Sequence, residues 1–243
     1  MSPTLLRRGC GILVAVIICW LVLSWIGKDT LLDYRSDLIF YTGQHLLLVV
    51  VSMLFALIVG IGAGVVLSRP AMAGSAERFM QVFNIANTVP PMAVLAIALA
   101  FFGIGATSAV LALWLAALLP IVRNTYQGLK NVDPALKEAA KGLGMRPLQS
   151  LWKVELPNAC GVIMNGIRIA LAINIGSAPI SFLIGANSLG NLIFPGIYLN
   201  NPHQMVLGAF ATAILALILD GVAALITHRL TAFQGDTAQE ALA

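Results

Sequence analysis

The sequence predicts an all-α integral membrane protein with six transmembrane helices. Of its 243 residues, 59% are hydrophobic and 10% are charged, and the mean hydropathy is +0.93. Soluble domains carry about 25% charged residues, so this chain has too little polar sequence to coat an apolar core in water. Apolar stretches recur over residues 1–233, which predicts a single transmembrane domain, and the polar residues 234–243 are expected to form a disordered tail.

Six apolar stretches are long enough to span a bilayer, which requires about 20 mainly apolar residues in a helix. They cover residues 10–26, 41–68, 79–102, 107–126, 158–184 and 205–226. No cleavage pattern of small residues follows the first stretch, so we expect an uncleaved first helix. Proline removes a backbone donor, so Pro90 and Pro91 should kink the third helix and the stretch Gly176–Pro179 should break or bend the fifth.

Small residues recur at every fourth position of the second stretch. They are Ser52, Ala56, Gly60, Gly64 and Ser68. Residues four apart lie on one face of a helix, and small side chains allow another membrane helix to approach closely. The pattern therefore predicts a helix-packing surface.

The distribution of positive charge predicts the orientation in the membrane. With six spans both termini lie on one side, and that side holds eleven of the 14 lysines and arginines, against two on the other. Cytoplasmic loops are enriched in these residues, so the termini and residues 127–157 are expected to be cytoplasmic. Membrane topology thus accounts for the net charge of +4, and we expect no nucleic acid partner.

Residues 127–157, called the charged loop below, interrupt the apolar pattern between the fourth and fifth spans. Asp133 is suited to cap a short helix, and Gly142 and Gly144 should end it because glycine accepts positive φ. A second short helix can begin at Pro147. One interpretation of this helix–turn–helix segment is an amphipathic helix resting on lipid headgroups.

Two ionisable residues, Arg168 and Asp220, fall inside predicted spans at comparable depth. A charge within the membrane needs a partner or water, so we hypothesise an ion pair that ties the fifth and sixth helices. The alternative is that Asp220 is a proton or ion site of a secondary transporter that works without an ATPase.

No pattern in the sequence supports chemistry by the chain itself. A phosphate-binding Gly-x-x-x-x-Gly-Lys-Ser/Thr loop is missing from it, so any ATP hydrolysis would occur on another subunit. The cysteines have neither disulfide nor metal spacing, and His45 is expected at the membrane interface. We therefore expect no catalytic residue, no metal site and no cofactor bound by this chain.

The charged loop contains Glu138-Ala139-Ala140, Gly144, Val154 and Leu156-Pro157 in a spaced pattern. This pattern resembles the cytoplasmic signature loop of binding-protein-dependent ABC importer permeases, with valine where isoleucine is common. The resemblance implies the type I ABC importer permease fold, in which a cytoplasmic coupling helix receives motion from an ATPase. The residues that the resemblance and the local pattern place in coupling are Glu138, Ala139, Ala140, Gly144, Arg146, Trp152, Leu156 and Pro157.

Other segments, among them Val89-Pro90-Pro91 and Ile184–Gly190, are similar to permeases of osmoprotectant importers, including the enterobacterial Yeh-type glycine betaine permeases. The resemblance implies ATP-driven import of such osmolytes across the bacterial inner membrane. The implied partners are ATP-binding ATPase subunits, a second permease copy or a paralogue, and a periplasmic binding protein. The residues expected to line or gate the translocation path are Pro90, Pro91, Ser177 and Pro179.

Overall fold

Helices account for nearly all of the described chain. The computed structural model describes the backbone of residues 3–86 and 88–240, and the side chains of residues 13, 16–85 and 88–231. The helices are α1 (Pro3–Ile26), α2 (Lys28–Asp33), α3 (Arg35–Leu67), α4 (Ala73–Ala86), α5 (Pro91–Phe102), α6 (Ala106–Lys130), α7 (Pro134–Gly142), α8 (Pro147–Ser150), α9 (Leu156–Ser177), α10 (Gly190–Tyr198) and α11 (Pro202–Glu240). A π-helical turn, Leu151–Glu155, joins α8 to α9, and a 3₁₀ segment, Ala178–Ile184, follows α9.

Four helical segments in the described part of the chain are long and apolar enough to cross a membrane. They are Arg35–Leu67, Ala106–Lys130, Pro147–Ile184 and Pro202–Thr231. The first and third predicted spans correspond to shorter apolar helices, described as Val16–Ile26 and Pro91–Phe102. The all-helical membrane class is therefore confirmed, whereas the count of six full-length spans is not reproduced.

The third predicted span, residues 79–102, is wrong as a single kinked helix. The chain forms α4 and α5 instead, with Pro90 in an extended conformation between them (φ −58°, ψ 140°) and Pro91 as the first residue of α5. The residue before a proline is pushed out of the helical region. Two consecutive prolines therefore end one helix and begin another, rather than bending a continuous one.

The centre of the bundle is α6, which packs against α3 on one side and α9 on the other. Ser52, Ala56, Gly60 and Gly64 of α3 are all buried, and Gly60 and Gly64 face α6. A Cβ atom at Gly64 would lie 2.5 Å from the Cβ atom of Thr125 in α6. The predicted packing surface is thus confirmed from Ser52 to Gly64, whereas Ser68 caps the end of α3 and is only half-buried.

The last helix, α11, packs on α9 and α10 and also contacts α1. Near its start, the ring of His203 stacks on Trp25 with centroids 4.6 Å apart, and Gln204 accepts a 2.9 Å hydrogen bond from the hydroxyl of Tyr34. These contacts tie the N-terminal helices to the bundle. The helix includes residues 234–240, for which the sequence predicted a disordered tail, and residues 241–243 lie outside the described residues.

Candidate functional site

The first half of the charged loop is a capped helix. The Oδ1 atom of Asp133 accepts a 2.9 Å hydrogen bond from the backbone N–H of Ala135, which satisfies one of the free donors at the start of α7. Pro134 is the first residue of that helix. The cap and the helix predicted from the sequence are both confirmed. The span before the loop is longer than predicted, because α6 continues to Lys130.

Gly144 makes the turn after α7. Its φ angle is +73°, and its N–H donates to the carbonyl oxygen of Lys141 at 3.0 Å. A Cβ atom at this position would meet nothing within 4 Å. Glycine is therefore required for its left-handed backbone conformation and not for lack of space.

The second half of the charged loop runs directly into a membrane span. Pro147 begins α8, and the Oε1 atom of Gln149 accepts a 2.9 Å hydrogen bond from the N–H of Arg146. The π-helical turn Leu151–Glu155 then leads into α9 without a break. The path from Pro147 to Ile184 is helical for 38 residues, so a displacement of α8 moves the span with it.

The charged loop has two apolar faces. Leu151 is buried in a cluster with Leu129 and Val132, and this contact seats the loop on the end of the bundle. On the outside, Leu143 is 77% exposed and Leu148 and Trp152 are each 69% exposed. A patch of large exposed apolar side chains is typical of an interaction site.

The residues that the signature pattern singled out are divided between these faces. Ala140 and the flanking Leu151 point inward, and Leu156 and Pro157 are half-buried at the start of α9. Glu138, Ala139, Gly144, Arg146 and Trp152 are exposed. The exposed members lie on the same short segment as Leu143 and Leu148.

A partly buried ion pair, which sequence reasoning missed, joins the charged loop to the end of α3. Arg69 follows the end of α3, and its Nη2 atom lies 2.7 Å from Oε2 of Glu155 in the π-helical turn. Its Nη1 atom donates to Oε1 of the same carboxylate at 3.3 Å. No local signal could have paired the two residues, because they are 86 positions apart. The sequence showed Arg69 only as one of many positive charges.

A second ion pair joins two membrane spans. The Nε and Nη2 atoms of Arg168 in α9 donate to the two carboxylate oxygens of Asp220 in α11 at 2.9 and 2.8 Å. This fork geometry suits a planar guanidinium group. The structure thus brings together the two residues that the sequence suggested as partners.

The four residues expected along a translocation path do not form one group. Pro91 and Ser177 line the same apolar cleft, about 580 Å³ in volume, between α4, α5, α6 and α9. Pro90 is exposed at the break before α5. Pro179 is buried, and its backbone carbonyl packs against Gly190, so it shapes the corner between the 3₁₀ segment and α10.

His45, which the sequence placed at the membrane interface, is fully buried in α3. Neither of its ring nitrogens has a hydrogen-bond partner among the described residues. Its burial could not be predicted from its position along the helix, because it depends on which neighbouring helices cover that face.

An apolar helical bundle with a structured, charged loop at one end defines a multi-pass membrane protein. The chain belongs to the family of binding-protein-dependent transport system inner membrane components, whose family model matches residues 56–232.

Curated relatives extend this similarity over most of the chain. The chain is 53% identical over 232 residues to the osmoprotectant import permease protein OsmY of Salmonella typhimurium, covering 95% of this chain and 98% of that protein. It is 37% identical over 196 residues to the choline transport system permease protein OpuBB of Bacillus subtilis, with 81% and 89% of the two chains covered. It is 41% identical over 178 residues to the carnitine transport permease protein OpuCD of Listeria monocytogenes, with 73% and 79% covered.

Solved structures show the same fold. A chain of the MetNI methionine ABC transporter, solved in inward-facing conformations, superposes with a TM-score of 0.73 at 24% sequence identity. The match covers 82% of this chain and 98% of that one. The type I ABC permease fold expected from the signature loop is therefore confirmed.

Proposed function

We propose that this chain is the transmembrane subunit of an ATP-driven importer that moves osmoprotectants such as glycine betaine across the bacterial inner membrane. Substrate capture and ATP hydrolysis take place on partner subunits, and this chain binds no cofactor of its own. The names of the relatives support the substrate class, since they describe osmoprotectant, choline and carnitine permeases.

The outer apolar face of the charged loop is the observation that carries the proposal. Leu143, Leu148 and Trp152 are exposed on the charged loop, whose second half is capped at Arg146 and continuous with a span. An ATPase subunit with an apolar groove would cover this face and move α8. Because α8 runs into α9, that motion would reach the membrane.

The remaining partners and the orientation follow from the same assignment. The side that carries most of the positive charge, including the charged loop, faces the cytoplasm, where the ATPase acts. A second permease copy or a paralogue completes the pore, and a periplasmic binding protein delivers substrate to the opposite side. Pro90, Pro91 and Ser177 lie at the break and the cleft beside α5, where a translocation path and its gate would run.

The alternative, a secondary transporter with Asp220 as its proton or ion site, is not favoured. Both carboxylate oxygens of Asp220 accept hydrogen bonds from Arg168. Asp220 is better assigned to holding α9 and α11 together.

The test is reconstitution of the chain in proteoliposomes with candidate ATPase, second permease and binding-protein subunits. We expect uptake of radiolabelled glycine betaine that requires ATP, and loss of uptake when either the ATPase or the binding protein is omitted. Labelled choline and carnitine, supplied in parallel, show which osmolyte is preferred. Uptake that persists without the ATPase would contradict the proposal.

A matched pair of tryptophan variants tests the docking face directly. Trp152 and Trp20 are similarly exposed, at 69% and 67%, but Trp20 lies on α1, outside the charged loop. Trp152→Ala should reduce co-purification of the ATPase about tenfold or more, as expected for an aromatic interface anchor, whereas Trp20→Ala should leave it unchanged. Equal retention by both variants would place the ATPase elsewhere.

A further inference from the structure

Arg69 is held in place by its own helix before it reaches Glu155. Its Nε atom donates to the carbonyl oxygen of Val65 at 3.2 Å, and its Nη2 atom donates to the hydroxyl of Ser68 at 2.9 Å. A cation at the C-terminus of a helix is also favoured by the helix dipole. The guanidinium group is thus fixed to the end of α3 on one side, with its fork directed at the carboxylate.

Glu155 is fixed from the loop side. It is buried at the last position of the π-helical turn, and Ser150 donates to its Oε1 atom at 3.3 Å. Short π-helical turns are rare and occur frequently at functional sites. Because a buried charge without a partner is strongly unfavourable, Glu155 needs Arg69 in order to stay in this position.

The Arg69–Glu155 pair links two parts of the fold that are distant in sequence. Motion of α8 reaches α9 through the covalent chain, but α3 is separated from the charged loop by more than 50 residues of sequence. Among the described residues, the Arg69–Glu155 pair is the ion pair that joins α3 to the charged loop. A bidentate pair with a buried carboxylate fixes the relative orientation of the two groups as well as their distance.

We propose that Arg69 and Glu155 form a clasp that makes the end of α3 move as one body with the charged loop, so that Arg69 is a positioning residue for energy coupling. This inference rests on the proposed function, because it requires an ATPase that moves the loop. With the clasp closed, α3 and α9 are displaced together on either side of α6. With the clasp open, the end of α3 moves less closely with the charged loop, although Asn174 and Ser52 still join α9 to the middle of α3.

A second ion pair at the same end of the bundle provides the control. Lys130 and Glu77 are 3.8 Å apart, and both side chains are mostly exposed, at 59% and 74%. Such surface pairs contribute little. Glu77→Gln should therefore leave transport unchanged, although it also removes a carboxylate that faces a cation.

The first measurement compares transport with ATP hydrolysis in the assembled complex. Arg69→Gln and Glu155→Gln should each lower the uptake of labelled glycine betaine about tenfold or more, as for other broken buried pairs, while the complex still hydrolyses ATP. The charge-exchanged double variant, Arg69→Glu with Glu155→Arg, should recover much of the lost uptake. Full uptake by either single variant would overturn the clasp.

The second measurement follows the movement itself and does not depend on the substrate. Spin labels are attached to Val66→Cys and Lys153→Cys, both exposed positions, after Cys10, Cys19 and Cys160 are replaced by serine. In the complex, the distance between the labels should be the same without nucleotide and with ATP trapped by vanadate. With Arg69→Gln added, it should differ between the two states.

The outcomes separate the clasp from the proposed function. A wild-type distance that changes between the states as much as it does in Arg69→Gln would overturn the clasp even if uptake is normal. A wild-type complex that binds the ATPase and keeps a constant distance, but takes up no betaine, would support the clasp and refute the substrate. Failure of any ATPase to co-purify would overturn the proposed function, and the role of the clasp with it.

Discussion

Asn174 of α9 donates a 2.8 Å hydrogen bond from its amide Nδ2 atom to the hydroxyl oxygen of Ser52 in α3. Both side chains are fully buried, and Ser52 in turn donates to backbone carbonyls within α3, among them that of Leu48 at 2.8 Å. Ser52 also belongs to the row of small residues on the packing face. The same face of α3 therefore provides the close contact with α6 and a hydrogen bond to α9.

Removal of the Ser52 hydroxyl should destabilise the bundle. Ser52→Ala leaves the buried amide of Asn174 without its acceptor, which typically costs about 1–3 kcal/mol. The measurement is the midpoint of thermal unfolding in detergent. Ser24→Ala is the control, because the Ser24 hydroxyl bonds locally to the carbonyl of Leu21 and is exposed. Equal midpoints for the two variants would show that the buried bond contributes nothing.

The Arg168–Asp220 pair should behave as one unit. Arg168→Gln and Asp220→Asn should each lower the unfolding midpoint, because either change leaves a charge without its partner at membrane depth. The double variant should be no worse than either single variant, since it removes both charges together. Losses that simply add would show that the two side chains act independently, contrary to the contact.

Substitution of Gly144 should disturb the turn through its backbone angle alone. Gly144→Ala places a residue with a Cβ atom at φ +73°, which costs about 1–2 kcal/mol of stability. Gly142→Ala is matched to it, because Gly142 is helical and also has open space around it. We expect Gly144→Ala to reduce uptake while Gly142→Ala does not.

The bulkier, charged Gly144→Asp and Glu138→Arg should uncouple hydrolysis from uptake in protein that still inserts.

Uptake is measured against the amount of inserted protein. Normal uptake by well-expressed Gly144→Asp and Glu138→Arg would contradict the role assigned to the exposed side of the charged loop.

The contact between α3 and α6 should respond to a single methyl group. A Cβ atom at Gly64 would overlap Thr125, whereas one at Gly62 would meet nothing within 4 Å. Gly64→Ala should destabilise by about 1–3 kcal/mol, as overpacking of a tight contact does, and Gly62→Ala should be neutral or slightly stabilising. The comparison is again the unfolding midpoint in detergent. An unchanged unfolding midpoint for Gly64→Ala would indicate that α3 and α6 can move apart without loss of stability.

Features governed by neighbouring residues could be predicted from the sequence. Asp133 and Pro134 begin α7, and Gly144 ends the segment with positive φ. Helix caps and glycine turns are decided within a few residues. The row of small residues from Ser52 to Gly64 likewise follows helical periodicity, which identifies a face but not the helix that covers it.

Features governed by distant residues could not be predicted in the same way. His45 and Asn174 are buried because α3 and α9 are rotated so that these side chains face the core. Arg69 meets Glu155 because the charged loop folds back onto the end of α3. The Arg168–Asp220 pair, although distant in sequence, could be predicted because few charges lie at membrane depth and each needs a partner.

The sequence by itself determined the class of the protein, its apolar spans and the helix–turn–helix of the charged loop. These depend on composition and on forces between near neighbours, which the order of residues specifies directly. Only the tertiary structure decided which polar groups meet in the core and that Glu155 of the charged loop is paired with Arg69 at the end of α3. Those outcomes depend on the rotation and register of packed helices, which are set by the whole bundle together.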